Sequence, residues 1–311
     1  MNRKSGFYQD FKVVIFILAI SIAALWQTAA AQGNNTGDFQ KPQKFVIGIQ
    51  PEKNIYEQRK AYKAIAQYIA KYLDINVYIY TLPNYTSLFE AFSEGIIDAA
   101  FLGSFSYVLT RDEFPIDLLV RPVWPDDTST YRGYIFARKD SGIRSLADME
   151  GKSLVLVDMA TTAGYLYPLY YLKKNGINSL NSHFSDIYFA GSHDGSAWAV
   201  FKAEADVGAC KDRIFNSLAA EFPQFEEQMV VLAESFGLPS NGLGVRSDLD
   251  RGFKERLRDL LLDIDKSEEG RQALKPLGAV RFIPTGDADY RALYRMIDHL
   301  QLNPDILRDN K

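Results

Sequence analysis

KFVIGIQ, at residues 44–50, begins an alternation of short apolar segments with segments of helical periodicity. Ala61, Ile65, Ile69 and Leu73 follow it at helical spacing, and another short apolar run, NVYIYT, comes next at residues 76–81. A short apolar run predicts a buried β-strand, whereas apolar residues three or four positions apart predict an amphipathic helix. Strand, helix and strand in that order predict the α/β class, with a mostly parallel sheet covered by helices.

The same rhythm continues along the chain. We predict strands at residues 44–50, 76–81, 98–102, 117–123, 134–138, 153–157, 187–190, 207–210, 229–233 and 242–246. We predict helices at residues 54–73, 87–94, 104–111, 145–149, 165–174, 196–203, 211–220, 252–266, 268–275 and 288–300. At about 150 residues per domain, 311 residues have room for two such α/β units. The units could be domains in series, or two lobes of which the first is completed when the chain returns, and the rhythm leaves both layouts open.

The first 31 residues have the pattern of a targeting segment. The basic residues Arg3, Lys4 and Lys12 precede an apolar run at residues 13–25, and an alanine-rich site ends at Ala31. These features are typical of a secretory signal peptide, and the apolar run is shorter than the about 20 residues that a bilayer-spanning helix needs. We therefore predict cleavage after Ala31, export to the periplasm and a flexible tail at residues 32–43. With no Cys near that site the protein is not predicted to be a lipoprotein; the alternative is that the segment is kept as a membrane anchor.

The composition excludes several classes of function. The chain is 47% hydrophobic and its net charge is −4, so it is too apolar for a disordered protein and lacks the basic charge of a nucleic-acid-binding protein. A single Cys allows no internal disulfide. One Cys and three His are few for a metal centre, and we predict neither a metal centre nor a cofactor. Cys210 ends an apolar run and is predicted to be a small buried hydrophobic residue. The motifs of serine hydrolases, P-loop proteins, dinucleotide-binding proteins and zinc proteases are missing from the sequence, so we predict no catalytic residue and no enzyme activity.

Small and hydroxyl-bearing residues follow several predicted strands, at the positions where helices begin. They lie at residues 50–54 (QPEKN), 103–104 (GS), 160–164 (ATTAG) and 191–194 (GSHD). Helix N-termini expose N–H groups with partial positive charge, and the ligand crevice of an open α/β sheet lies at the carboxyl ends of its strands. Several such junctions facing one cleft would bind an oxyanion. Each junction alone can also be an ordinary helix cap, because Ser, Thr, Asn and Asp are the usual capping residues.

Residues 131–177 (YRGYIFARKDSGIRSLADMEGKSLVLVDMATTAGYLYPLYYLKKNGI) resemble the core of the phosphonate-binding family, the substrate-binding components of phosphate, phosphite and phosphonate ABC importers. Further matching pieces are IGIQP at 47–51, GSFSY at 103–107, GSHD at 191–194, ADVGA at 205–209 and LPSN at 238–241. The resemblance implies the type 2 periplasmic-binding fold, in which two Rossmann-like lobes are joined by a hinge and enclose a ligand cleft. It implies that residues 44–136 and 244–311 form the first lobe and residues 137–243 the second.

The resemblance also implies which residues bind the ligand. The family's anion-binding Ser-Thr-Ser stretch falls on Thr161, Thr162 and Ala163, where the alanine offers only its N–H, and the family's cleft histidine falls on His193. Its two tyrosines fall on Tyr56 and Tyr107. The complete predicted set is Tyr56, Ser104, Tyr107, Thr161, Thr162, Ala163, His193, Lys211 and Asn241.

Members of the family that bind aminoalkylphosphonates place carboxylates in the cleft, at positions that fall near residues 211–213 and on Asn241 here. An alkylammonium group would there meet Lys211 and Arg213 without a paired carboxylate, which disfavours it. We therefore hypothesise that the ligand is a phosphorus oxyanion or an anionic organic phosphonate rather than an aminoalkylphosphonate.

The predicted function is the capture of phosphate, phosphite or a phosphonate by a periplasmic monomer, which delivers it to an ABC permease in the inner membrane. One alternative is a sensor subunit whose partner is a membrane histidine kinase. A second alternative is that the ligand is a sulfonate or a pyrimidine, since Ala163 lacks the third hydroxyl of the anion-binding stretch.

Overall fold

Two mixed β-sheets form the framework of the protein in the computed structural model, which describes residues 40–302. The predicted signal peptide, and the predicted tail up to residue 39, lie outside the described residues. In the described part of the chain, no helix is both long enough and apolar enough to cross a membrane.

The strands and helices alternate along the chain, as the sequence predicts. The strands are β1 (Lys44–Ile49), β2 (Asn76–Thr81), β3 (Ala99–Leu102), β4 (Ile116–Val123), β5 (Thr130–Tyr131), β6 (Gly133–Arg138), β7 (Ser153–Leu156), β8 (Asp186–Phe189), β9 (Val207–Lys211), β10 (Met229–Glu234), β11 (Leu238–Pro239), β12 (Gly242–Arg246) and β13 (Arg281–Pro284). The α-helices are α1 (Ile55–Leu73), α2 (Ser87–Ser93), α3 (Ser104–Arg111), α4 (Tyr167–Lys174), α5 (Leu180–His183), α6 (His193–Phe201), α7 (Asp212–Glu221), α8 (Pro223–Gln228), α9 (Arg251–Leu262), α10 (Glu268–Leu274) and α11 (Arg291–Leu300). A π-helical turn, Thr162–Leu166, leads into α4.

Each sheet combines parallel and antiparallel strands. The six-stranded sheet has the order β13-β4-β12-β3-β1-β2, and the five-stranded sheet has the order β10-β6-β9-β7-β8. Strand β1 is parallel to β2 and β3, and β7 is parallel to β8 and β9, whereas β12 and β6 are antiparallel to both of their neighbours. In the described chain four of the six strands of the first sheet and four of the five of the second run in one direction, as predicted for mostly parallel sheets. The reversed strands are β6, β12 and β13.

The chain builds the six-stranded sheet from β1 to β4, passes into the five-stranded sheet at β6, and returns at β12. We call the six-stranded sheet with helices α1–α3, α9 and α10 lobe 1, and the five-stranded sheet with helices α4–α8 lobe 2. The lobe boundaries expected from the sequence, 136/137 and 243/244, fall inside strands β6 and β12. Helix α11 contacts lobe 2, where the Nζ atom of Lys173 donates to the carbonyl of Leu300 over 2.9 Å.

Helix α1 covers lobe 1 with the apolar stripe that the sequence predicts. Its N-cap is Asn54, whose Oδ1 accepts a hydrogen bond of 3.0 Å from the N–H of Tyr56. Because the stripe recurs at helical spacing, Ile65 and Ile69 are fully buried.

The core of lobe 2 is aromatic. The ring of Phe215 lies 5.1 Å from the rings of both Phe136 and Phe225. Cys210 is fully buried beside this cluster, as predicted, and burial raises the pKa of its thiol well above the ordinary value. Its thiol is therefore protonated and packs as a small hydrophobic group.

Candidate ligand-binding site between the lobes

Loops that follow strands of both sheets meet between the lobes. Helix α3 begins after β3 in lobe 1, and the turn at Thr162 follows β7 in lobe 2. The N–H of Phe105 in the first turn of α3 donates to Thr162 Oγ1 over 2.9 Å, and Ser106 Oγ donates to the carbonyl of Ala160 over 2.9 Å. The helix-starting junctions that the sequence singles out thus face one another across the cleft.

A second set of contacts joins the loop after β1 to the start of α6. The N–H of His193 donates to the carbonyl of Glu52 over 3.0 Å, and the N–H of Asn54 donates to Asp194 Oδ2 over 2.8 Å. The lobes therefore touch through several hydrogen bonds, and the cleft between them is closed at these points.

His193 is buried at this contact, with 1% of its surface accessible. Its Nδ1 atom accepts a hydrogen bond of 3.3 Å from the N–H of Lys211, so the ring hydrogen of the neutral imidazole lies on Nε2. Burial, and secondarily the positive charge of Lys211, hold the pKa of the imidazole well below 6.5. His193 is thus a neutral donor, and its Nε2 atom is buried with no hydrogen-bond partner among the described residues.

Tyr85 lies beside His193 and has the same property. It follows β2 in lobe 1 and packs against Val157 and Ala160 of lobe 2, and its ring centroid lies 6.2 Å from that of His193. Its hydroxyl oxygen is buried and has no partner within the described chain. Burial raises the pKa of this hydroxyl well above 10, so it remains a protonated donor. Two unpartnered donors on adjoining rings therefore lie at the interface of the lobes.

Ser104 and Tyr131 extend the polar surface along the start of α3. The Tyr131 hydroxyl donates to Ser104 Oγ over 3.3 Å, and Ser104 Oγ donates to the carbonyl of Pro239 over 2.8 Å. Ala163 packs against Tyr131. The hydroxyl of Thr161 donates to the carbonyl of Asp158 over 2.6 Å, so its hydrogen is already engaged.

A buried ion pair lies at the other end of the cleft. Lys211, the last residue of β9, donates through Nζ to Glu52 Oε1 from the loop after β1. Asn241 bridges the pair, because its Oδ1 accepts from Lys211 Nζ over 2.9 Å and its Nδ2 donates to Glu52 Oε1 over 3.0 Å. The ammonium also lies 4.8 Å from the ring centroid of Tyr131. The expectation that a group bound here would find no carboxylate is wrong, because Glu52 is present, although Lys211 and Asn241 already bind it.

A cavity of about 250 Å³ adjoins this pair, between the lobes. Rings of lobe 1 and cationic side chains of lobe 2 line it, among them Tyr62, Phe101, Trp124, Lys211 and Arg213. The interface thus has a polar part around His193 and Tyr85, and a separate cavity with aromatic walls whose lining includes neither residue.

The hydroxyl contact of Thr161 lies within lobe 2. The structure brings six of the other eight predicted ligand-binding residues to the interface between the lobes: Ser104, Thr162, Ala163, His193, Lys211 and Asn241. It does not bring the two predicted tyrosines there. The side chain of Tyr56 is 82% exposed, and the hydroxyl of Tyr107 donates to Asp287 Oδ1 over 3.2 Å while its ring packs on Tyr290.

Sequence reasoning missed three residues that lie at the interface: Tyr85, Tyr131 and Glu52. A usable signal was present for two of these residues. Glu52 lies in the junction at residues 50–54 that the sequence singles out, and Tyr85 lies in the loop after β2, at the carboxyl end of a strand. The sequence has no comparable signal for Tyr131.

Two α/β lobes around a cleft of this kind define the type 2 periplasmic-binding fold, which is also the fold of solved structures of phosphonate-binding proteins of ABC transporters. A family model described as "ABC transporter, phosphonate, periplasmic substrate-binding protein" matches residues 47–290, and the chain belongs to this family. The predicted fold class and the family resemblance are both confirmed.

Individual relatives have diverged far from this chain. It is 25% identical over 247 residues to the phosphonates-binding periplasmic protein of Escherichia coli, which covers 78% of this chain and 71% of that protein. It is 28% identical over 184 residues to the phosphate-import protein PhnD of Mycolicibacterium smegmatis, covering 56% of this chain and 57% of that protein. The structure of PhnD1 from Prochlorococcus marinus in complex with methylphosphonate superimposes with a TM-score of 0.76 at 21% identity, over 84% of this chain and 99% of that chain.

Proposed function

We propose that this protein is the periplasmic substrate-binding component of an ABC importer and that it captures phosphate, phosphite or a phosphonate in the cleft between its lobes. Family membership supports the transport role. The relatives described above are named for phosphonates and for phosphate, which supports a phosphorus oxyanion as the ligand.

The observation that carries the proposal is the pair of buried donors, His193 Nε2 and Tyr85 Oη, which have no partner within the described chain. A buried polar group without a partner costs about 1–3 kcal/mol. A tetrahedral oxyanion can accept from both groups at once, and hydrogen bonds to a charged acceptor are stronger than those between neutral groups. The start of helix α3 adds partial positive charge at the same interface.

The arrangement is suited to holding a ligand unchanged rather than to catalysis. The Ser104 hydroxyl gives its hydrogen to a backbone carbonyl and not to a base. His193 Nδ1 accepts from a backbone N–H, so the imidazole is not placed to activate a nucleophile. We therefore propose that the bound oxyanion leaves the cleft as it entered.

The remaining parts of the proposal concern location and partners. A monomer that is exported and cleaved after Ala31 would meet its permease at the outer face of the inner membrane. Neighbouring genes for a permease and an ATPase would support the importer, whereas a neighbouring gene for a membrane histidine kinase would support the sensor alternative.

Calorimetric titration tests the ligand class. Phosphate, phosphite and methylphosphonate are compared with methanesulfonate and with a pyrimidine, using the wild type, His193→Leu and the control Glu150→Gln at an exposed carboxylate. We expect binding of at least one phosphorus oxyanion, loss of that binding in His193→Leu, and no change in Glu150→Gln. Tighter binding of the sulfonate or the pyrimidine, or unchanged oxyanion affinity in His193→Leu, would contradict the proposal.

A further inference from the structure

The ion pair at the second end of the cleft joins the two lobes. Glu52 belongs to lobe 1 and Lys211 to lobe 2, and their side chains are only 16% and 10% exposed. Asn241 binds both partners, so the polar atoms of the pair that face one another are already satisfied. The cleft therefore contains a cation and an anion that are held together by the protein itself.

A group bound against this ion pair meets no net charge from the pair. A substituent with its own charge could bind one partner only by displacing the other, and the displaced partner would then be a buried, unpaired ion. An ammonium group would have to replace Lys211 on Glu52, and a carboxylate would have to replace Glu52 on Lys211. Both exchanges are unfavourable, whereas an uncharged substituent leaves the pair intact.

Two further cations line the adjoining cavity, Lys53 of lobe 1 and Arg213 of lobe 2, and each has a carboxylate partner. Lys53 Nζ lies 3.9 Å from Glu57 Oε2. The Arg213 guanidinium lies 3.3 Å from Asp126 Oδ2, donates to Thr128 Oγ1 over 2.6 Å, and stacks 4.7 Å from the ring centroid of Trp124. Neither cation of lobe 2 that lines the cavity is thus left free for an anionic substituent.

The adjoining cavity has room for an organic group. Its volume of about 250 Å³ exceeds that of an apolar cavity of about 150 Å³ that holds a benzene molecule. Tyr62, Phe101 and Trp124 give it aromatic walls, which favour apolar surface over a hydrated ion.

We propose that the Glu52–Lys211 pair determines specificity by selecting a phosphonate whose organic substituent is uncharged and partly apolar, and by rejecting both aminoalkyl- and carboxyalkylphosphonates. This inference rests on the proposed function, since it assumes that the phosphorus oxyanion binds near His193 and Tyr85. Alkyl- and arylphosphonates are the ligands of this class.

The test measures calorimetric affinities for three phosphonates of similar size: propylphosphonate, 2-aminoethylphosphonate and phosphonoacetate. Each affinity is divided by that for methylphosphonate, which cancels effects common to all phosphonates. In the wild type we expect propylphosphonate to bind at least about tenfold more tightly than either charged probe. Glu52→Gln should raise the relative affinity for phosphonoacetate, and Lys211→Met should raise that for 2-aminoethylphosphonate, each by at least about tenfold.

The double variant Glu52→Gln/Lys211→Met should restore the wild-type order, and the control Glu150→Gln should keep it. If a single variant fails to fold, the order of the three relative affinities in the wild type and in the double variant still tests the inference. A wild type that prefers a charged probe, or an order that neither single variant changes, would overturn the inference while methylphosphonate binding upholds the proposed function. Binding of phosphate or phosphite without any phosphonate would overturn the inference alone. Failure of the wild type to bind phosphate, phosphite or any phosphonate would overturn the proposed function itself.

Discussion

The substitution Tyr85→Phe should stabilise the unliganded protein and weaken ligand binding at the same time. The Tyr85 ring fills a contact between the lobes, against Val157 and Ala160, and phenylalanine preserves that packing. The change removes only the hydroxyl, which is buried and has no partner among the described residues. A purely structural tyrosine and a ligand-binding tyrosine therefore respond differently to the same change.

The magnitudes follow from the burial of this one group. An unsatisfied buried hydroxyl costs about 1–3 kcal/mol, so its removal should raise the free energy of unfolding by at least about 1 kcal/mol. For a folded region of this size, about 1 kcal/mol corresponds to a rise of about 2 °C in Tm. A hydrogen bond to a charged oxyanion contributes about 1.5–3 kcal/mol, so Kd should rise by roughly tenfold to a hundredfold.

Differential scanning calorimetry of the unliganded protein and calorimetric titration with methylphosphonate measure the two effects separately. Tyr78→Phe is the matched control, because it removes a hydroxyl from a side chain that is 53% exposed, and it should change neither quantity. A fall in Tm on Tyr85→Phe would show that the hydroxyl has a partner in the folded chain. An unchanged Kd would show that Tyr85 does not touch the ligand.

Three further predictions concern other positions. Thr162→Val removes a hydroxyl donor and the acceptor of the Phe105 N–H, and calorimetric titration should show a loss of about 1.5–3 kcal/mol of oxyanion affinity. The control Thr81→Val removes a hydroxyl of β2 that has no partner in the described chain, and it should leave the affinity unchanged. The pKa of the His193 imidazole is lowered in the folded state. Below about pH 6.5 this imidazole therefore binds a proton only in the unfolded state. The free energy of unfolding, measured with urea, should then fall by up to about 1.4 kcal/mol for each pH unit. That loss should disappear in His193→Gln and persist in His299→Gln, at an exposed site; its persistence in His193→Gln would refute the assignment. Gly208→Ala would place a Cβ 2.7 Å from Phe136 and Val200 and should lower the free energy of unfolding by about 1–3 kcal/mol. The control Gly286→Ala places its Cβ in open space and should not change this free energy. Equal changes in the free energy of unfolding for the two variants would contradict the packing of lobe 2.

Apolar periodicity was sufficient to predict most elements, because burial of one stripe or one short run is a local property of the sequence. The spacing of Ile65 and Ile69 predicts helix α1, and both side chains are buried. Periodicity does not indicate the direction of a strand in its sheet, because that direction depends on where the chain crosses between the lobes. The reversed direction of β6 and β12 could therefore not be predicted. Strand β13 was missed because RFIP is short and contains only two strongly apolar residues.

The site shows the same division between local and tertiary information. The junctions that contain His193 and Thr162 could be predicted to face the cleft because they lie at helix starts after strands. The choice of these two residues within the junctions came from the family resemblance. Tyr107, which the family resemblance indicated, lies inside α3, one turn after the junction at residues 103–104, and its ring turns towards Tyr290 and Asp287. The pairing of Glu52 with Lys211 joins residues 159 positions apart, so no local pattern could indicate it.

The protein has a net charge of −4, so the proposed binding of an anion depends on the local groups of the cleft. Lys211 is paired with Glu52, Arg213 lies beside Asp126, and His193 is neutral, so these side chains offer an anion no free positive charge. Attraction over long distances is then weak, and it is also screened beyond about 10 Å at moderate ionic strength. On the proposed function, recognition comes from hydrogen-bond donors at short range, chiefly His193 Nε2 and Tyr85 Oη, which are buried without a partner in the described chain. Such donors respond to the positions of the ligand oxygens, so the cleft should discriminate among anions by shape rather than by charge.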